Sequence, residues 1–177
     1  MNKANPQIYV ACLAAYNNGR LHGCWIDAHQ EVETIHAEIS SMLAQSPEPF
    51  AEEWAVHDYE GFCGIELSEW PDLGRVSQIA GLLDKHGDAF AVWYQSQGGQ
   101  HVEVSELEEK FSEQWQGTFD SDQDFASEFL ENTGALSEVP EWAKAYFDYA
   151  AYAQDLALSG DYDFVRHNCE TYVFSNF

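Results

Sequence analysis

Basic residues are what this chain has least of: seven Lys and Arg stand against 31 Asp and Glu, a formal net charge of -24 at pH 7. A surface so short of cations is repelled by nucleic acid and by anionic membranes, which excludes both as partners. No apolar run approaches the roughly 18 residues that a membrane helix needs; the longest pieces are short, such as residues 89–94. Cys12, Cys24, Cys63 and Cys169 lie far apart without a C-x-x-C pair, and residues 1–6 hold no apolar core for a signal peptide. Reduced, unbridged thiols in a cytoplasmic protein are therefore expected. A Gly-rich phosphate loop, an H-E-x-x-H motif and a zinc spacing among the seven His are all missing, so no cofactor and no metal is expected.

What is present is apolar material: 45% of residues are hydrophobic and 15% aromatic. That suffices for a folded core, so the acid does not mark a disordered tail. A large net charge destabilises a compact chain by self-repulsion and calls for a reason. Halophilic solubility, a basic partner and imitation of a polyanion are the three common ones, and the first does not account for the aromatics. B-DNA carries one charge per roughly 1.7 Å of axis, so this chain bears the charge of about 41 Å of duplex.

The hydrophobic patterning predicts an α+β protein of three small domains in an elongated row, with boundaries at 1–61, 62–102 and 103–177. Residues 7–15 read as a strand, the Asn-Gly of YNNGR as a turn, and residues 21–27 as the returning strand. Asp27 is placed to cap a helix with Val32, Ile35, Ile39 and Leu43 on its inner face, and residues 53–60 complete a ββαβ unit. Next comes a helix capped by Ser68, with Leu73, Val76, Ile79, Ala80 and Leu83 as its stripe and Gly87 as its stop. Residues 88–97 suit a short helix or a strand. Gly98 and Gly99 read as a flexible joint.

The most acidic stretch is residues 111–134, FSEQWQGTFDSDQDFASEFLENTG, which holds six carboxylates and no base. Its periodicity predicts two helices around a turn at Gly117. The first enters through a Ser105/Glu108 capping box and the second is capped by Ser121, with Phe125, Phe129 and Leu130 inward. Glu106, Glu109 and Glu113 line up about 5 Å apart along the first helix axis. Such neighbours disfavour an isolated helix by about 0.2–0.5 kcal/mol per pair, so local stability did not select them. Pro140 starts a further aromatic helix, and residues 170–174 read as a last strand.

Two chemical alternatives compete with a plain acidic surface. Asp120, Asp122, Asp124 and Glu131 occupy positions 1, 3, 5 and 12 of a calcium loop, but Phe125 stands where that loop needs Gly. Cys169 with His167 has the composition of a thiol hydrolase pair, without an evident third group or oxyanion hole. An acidic module for basic proteins is a further possibility, and it would bind without competition from short DNA.

The segment WQGTFDSDQDFASEFLENTG resembles the antirestriction motif of the ArdA proteins. Residues 8–28 (IYVACLAAYNNGRLHGCWIDA), 53–70 (EWAVHDYEGFCGIELSEW) and 139–156 (VPEWAKAYFDYAAYAQDL) extend the likeness in the same order over nearly the whole chain. The resemblance implies a non-enzymatic DNA mimic that occupies the DNA-binding surface of type I restriction-modification enzymes, protects incoming mobile DNA and works as a homodimer. On that reading the phosphate stand-ins are Asp27, Glu31, Glu38, Glu60, Glu66, Glu69 and Asp72, then Glu106, Glu109, Glu113, Asp120, Asp122, Asp124, Glu128 and Glu131. Trp115, Phe119, Trp142, Tyr146, Phe147 and Tyr149 exceed what a small core needs and are the expected dimer contact.

Overall fold

A computed structural model describes residues 5–177, and their backbone gathers into two compact units. One holds the described residues up to Ala91 with Val102–Ser105; the other holds Val92–His101 with Glu106–Phe177. The fold is α+β, with two three-stranded antiparallel sheets and eight helices among the described residues.

In the first unit β1 (Gln7–Cys12) lies between β2 (Gly23–Asp27) and β3 (Trp54–Glu60). Ile8 faces Ile26 and Val10 faces Val56, and all four are buried, because alternate residues of paired strands share one face. On the other face Tyr9 and Trp25 pair at 5.5 Å. The predicted first strand is shorter than its apolar run, since Leu13–Asn17 turns into a one-turn helix, α1. The Asn-Gly signal marks the end of that helix, with Gly19 at φ +73. Helix α2 (Val32–Ala44) covers the sheet with Ile35, Ile39 and Met42. Met42 takes the place expected for Leu43, because a spacing of three after Ile39 stays closer to the buried line. Glu31, not Asp27, stands at its N-cap, whereas Asp27 accepts from the His29 amide at 2.8 Å and from Asn5 at 2.9 Å.

Helix α3 (Leu73–His86) buries the predicted stripe together with Leu82. Its cap is Asp72 rather than Ser68: the carboxylate accepts from the amides of Gly74 at 2.8 Å and Arg75 at 3.2 Å. Gly87 stops it at φ +57. Residues 88–97, open between two forms in the sequence, contain helix α4 (Asp88–Ser96); residues 90–94 are all buried, as in a helix that is apolar all round. Gly99 is not a loose joint. It is buried, and a Cβ there would come within 2.6 Å of the Tyr94 ring, so glycine serves close packing.

The second unit contains α5 (Leu107–Gln114), β4 (Trp115–Phe119), α6 (Asp122–Asn132), α7 (Glu141–Lys144), α8 (Tyr149–Ser159), β5 (Tyr162–His167) and β6 (Glu170–Ser175). Its sheet has the order β4-β6-β5. The turn predicted around Gly117 is in fact the strand β4, and Trp115, expected on the helical stripe, is the residue where helix gives way to strand. Ser105 is not the N-cap of α5; Glu106 stands there, without a side-chain cap bond. The helix expected after Pro140 is two helices, the second capped by Asp148, whose carboxylate accepts from the Ala151 amide at 2.9 Å. Phe125, Tyr162 and Val173 form the core under α6, with Phe119, Phe129, Leu156 and Phe164 around them.

Candidate functional site

Because β4 ends at Phe119 and α6 begins at Asp122, Asp120 and Ser121 form the corner from which the acidic helix leaves the sheet. Ser121 is the N-cap predicted from sequence, and its hydroxyl accepts from the Asp124 amide at 3.3 Å. The same hydroxyl donates to the Asp124 carboxylate at 2.5 Å. Asp122 accepts from the hydroxyl of Thr171 at 3.0 Å. Both carboxylates sit in the first turn, where the helix dipole favours them. Since residues 122–132 are helical, the twelve-residue calcium loop is not formed, which disposes of that alternative on geometry.

Asp120, Glu128 and Glu131 are exposed on the same segment, and Glu106, Glu109 and Glu113 are exposed on and before α5. Lys110 approaches Glu113 at 3.3 Å with both side chains about half exposed, a pairing worth little in water. In the first unit Glu31, Glu60, Glu66, Glu69 and Asp72 are exposed, while Asp27 and Glu38 are half-buried. Glu38 accepts from Gln30 at 2.8 Å and lies near Cys24. Burial first, and then the Glu38 charge, push the Cys24 thiol above its ordinary range.

The six aromatic candidates separate into two kinds. Trp115 packs its ring on Phe111, Tyr172 and Phe174 at 5.5 to 6.0 Å, and Phe119 packs on Phe125 at 5.2 Å. Phe147 and Tyr149 are half-buried against each other at 5.0 Å. Trp142 and Tyr146, in contrast, are 73% and 85% exposed.

His167 ends β5 and pairs with Glu170, so Asn168 and Cys169 are the two residues of a hairpin turn. Their φ values of +49 and +67 are those of a type I′ turn, in which Cys169 holds a place usually given to Gly. His167 and Cys169 therefore do not share a strand face. The His167 Nε2 instead meets the side-chain Nδ2 of Asn168 at 3.0 Å, and Cys169 is exposed. Among the described residues no group of three or more His, Cys, Asp or Glu is arranged to hold a metal ion.

Two residues at this corner escaped the sequence reading. Arg166 Nη1 donates to the Asp120 carbonyl and to Thr171 Oγ1, each at 3.1 Å. The signal available in the sequence was the scarcity of bases: Arg166 is one of only three Lys and Arg in residues 103–177.

The profile of the family described as antirestriction protein (ArdA) matches residues 8–171, from the first strand of one unit to the last strand of the other. The chain belongs to the ArdA family. Antirestriction function follows from that membership, with type I restriction enzymes as the family's target. ArdA proteins are non-enzymatic, in agreement with a hairpin tip at Cys169 rather than a nucleophile pair. No curated protein matches the chain. Among the described residues no helix is long and apolar enough to cross a membrane.

Proposed function

We propose that this ArdA protein inhibits by DNA mimicry: its carboxylates stand in for duplex phosphates and fill the basic DNA groove of a type I restriction-modification enzyme. The observation that carries this reading is exposure. Of the fifteen candidate carboxylates, all but Asp27 and Glu38 are solvent-exposed, and they occur in both compact units. By sequence, segments 1–61, 62–102 and 103–177 contain 9, 5 and 17 acidic residues, so the last segment provides the densest field. The mechanism is competitive binding without bond chemistry. It draws on counterions released from the enzyme's groove, as duplex binding does.

We also propose that the working form is a cytoplasmic homodimer. A type I enzyme reads a two-part site, and two chains supply about 82 Å of duplex-equivalent charge. Since Trp115 and Phe119 pack into their own unit, the exposed rings of Trp142 and Tyr146 are the stronger candidates for the contact.

The deciding experiment titrates a purified type I methyltransferase core with this protein and a target duplex together. Mutual exclusion is expected. A ternary complex of enzyme, duplex and inhibitor would refute direct mimicry.

A further inference from the structure

Given the mimicry reading, we infer that Arg166 is a positioning residue which sets the acidic corner at Asp120–Asp122 in place. Segment 103–177 holds only Lys110, Lys144 and Arg166 as basic residues. Lys110 and Lys144 each pair with a carboxylate three residues away on their own helix, at 3.3 and 2.6 Å. Arg166 is differently engaged. From edge strand β5 it reaches the hydroxyl of its cross-strand partner Thr171 on the central strand, and the carbonyl of Asp120 just beyond β4. Thr171 is 1% exposed, so its hydroxyl needs internal partners. It accepts from Arg166 and donates to the Asp122 carboxylate at 3.0 Å. One run of donors thus links β5, β6, the end of β4 and the first turn of α6.

A positive charge inside an acidic field weakens that field toward a basic partner, and this gives the inference a sign that bulk electrostatics does not share. Removing Arg166 makes the chain more negative. If the side chain were only a stray cation, its loss would strengthen inhibition or leave it unchanged; if it positions the corner, its loss weakens inhibition.

The test compares Arg166→Met, which keeps the apolar stem, with Thr171→Val and Thr171→Ser. Two readouts are used: inhibition of a purified type I methyltransferase core against a competing duplex, and amide exchange at Asp124 and Phe125 in the free protein. Those amides donate to the Ser121 carbonyl at 3.1 and 3.3 Å, so they report the first turn of α6. Arg166→Met and Thr171→Val should each weaken inhibition about five- to tenfold and speed the exchange, consistent with loss of a charge-assisted bond. Their effects should be less than additive because both cut one network. Thr171→Ser, which keeps the hydroxyl, should recover most of the inhibition. Inhibition by Arg166→Met equal to or better than the unmodified protein's overturns the inference, with or without faster exchange. Should Thr171→Val fail to fold, Arg166→Met on its exposed edge position decides alone. A failure of mimicry itself reads out separately, as an unmodified protein that duplex does not displace.

Discussion

Asp72 is an acid kept for its oxygen as much as for its charge, because it closes the N-terminus of α3. Asp72→Ala should destabilise the protein by about 1 kcal/mol in urea unfolding, and Asp72→Ser should restore most of that while still lacking the charge. Glu128 is exposed on α6, so Glu128→Gln should change stability by less than about 0.5 kcal/mol and inhibition only slightly. Neutralising Asp120, Asp122, Asp124, Glu128 and Glu131 together should weaken inhibition far more than those single changes suggest, because the field sums over the cluster. The thiols carry a different pH signature. Burial foremost, then the charge and hydrogen bond of Asp88, push the Cys63 thiol up; burial does the same to Cys24 and to the Tyr162 hydroxyl. A group whose folded pKa is raised stabilises the fold below its ordinary value, and that contribution is lost as pH rises through the raised one. Unfolding free energy should therefore fall from about pH 9 upward on account of these groups, and Asp88→Asn should speed Cys63 alkylation at fixed alkaline pH.

Helices with a wide apolar stripe and a chemical stop were legible at the level of elements: α3 follows Leu73, Val76, Ile79, Ala80 and Leu83 to Gly87, and α6 follows its Ser121 cap. Strand β4 was not, because Trp115 continues the spacing of Leu107 and Phe111, and only pairing with β6 makes Trp115–Phe119 extended. Tertiary hydrogen bonding overrode a local period there. The Asn168–Cys169 turn was hidden for a second reason: an αL position filled by Cys gives none of the glycine signal by which such turns are found. The carboxylates were legible as a set, but which of them also serve as caps depended on local geometry. The aromatic elements invite a contrast. Trp115→Ala should cost about 3 kcal/mol, since three rings lose a partner. Trp142→Ala should leave stability within about 0.5 kcal/mol, and on the dimer proposal it should weaken self-association, measured by sedimentation.

For the whole molecule, charge sets two opposed salt dependences. Two chains of formal charge -24 repel, so salt should tighten the proposed dimer while it loosens binding to a basic groove. Sedimentation and inhibition measured over one salt series check both slopes. A fully inhibitory monomer at every salt and protein concentration would end the dimer proposal.

The two sheets also differ in the order in which their strands leave the ribosome. In the first, the middle strand β1 emerges before either neighbour, so β2 and β3 each find a template already made. In the second, β4 and β5 emerge around an empty centre, and only β6 joins them. At translation speeds of about 5–20 residues per second, the interval from Trp115 to Glu170 lasts roughly 3 to 11 seconds. For most of it Phe119 and then Phe125 lack the strand that covers them, and Phe164 joins them only near its end. A message cut short before Glu170 should thus yield no half-strength inhibitor from this unit, only a nascent chain for proteases to clear.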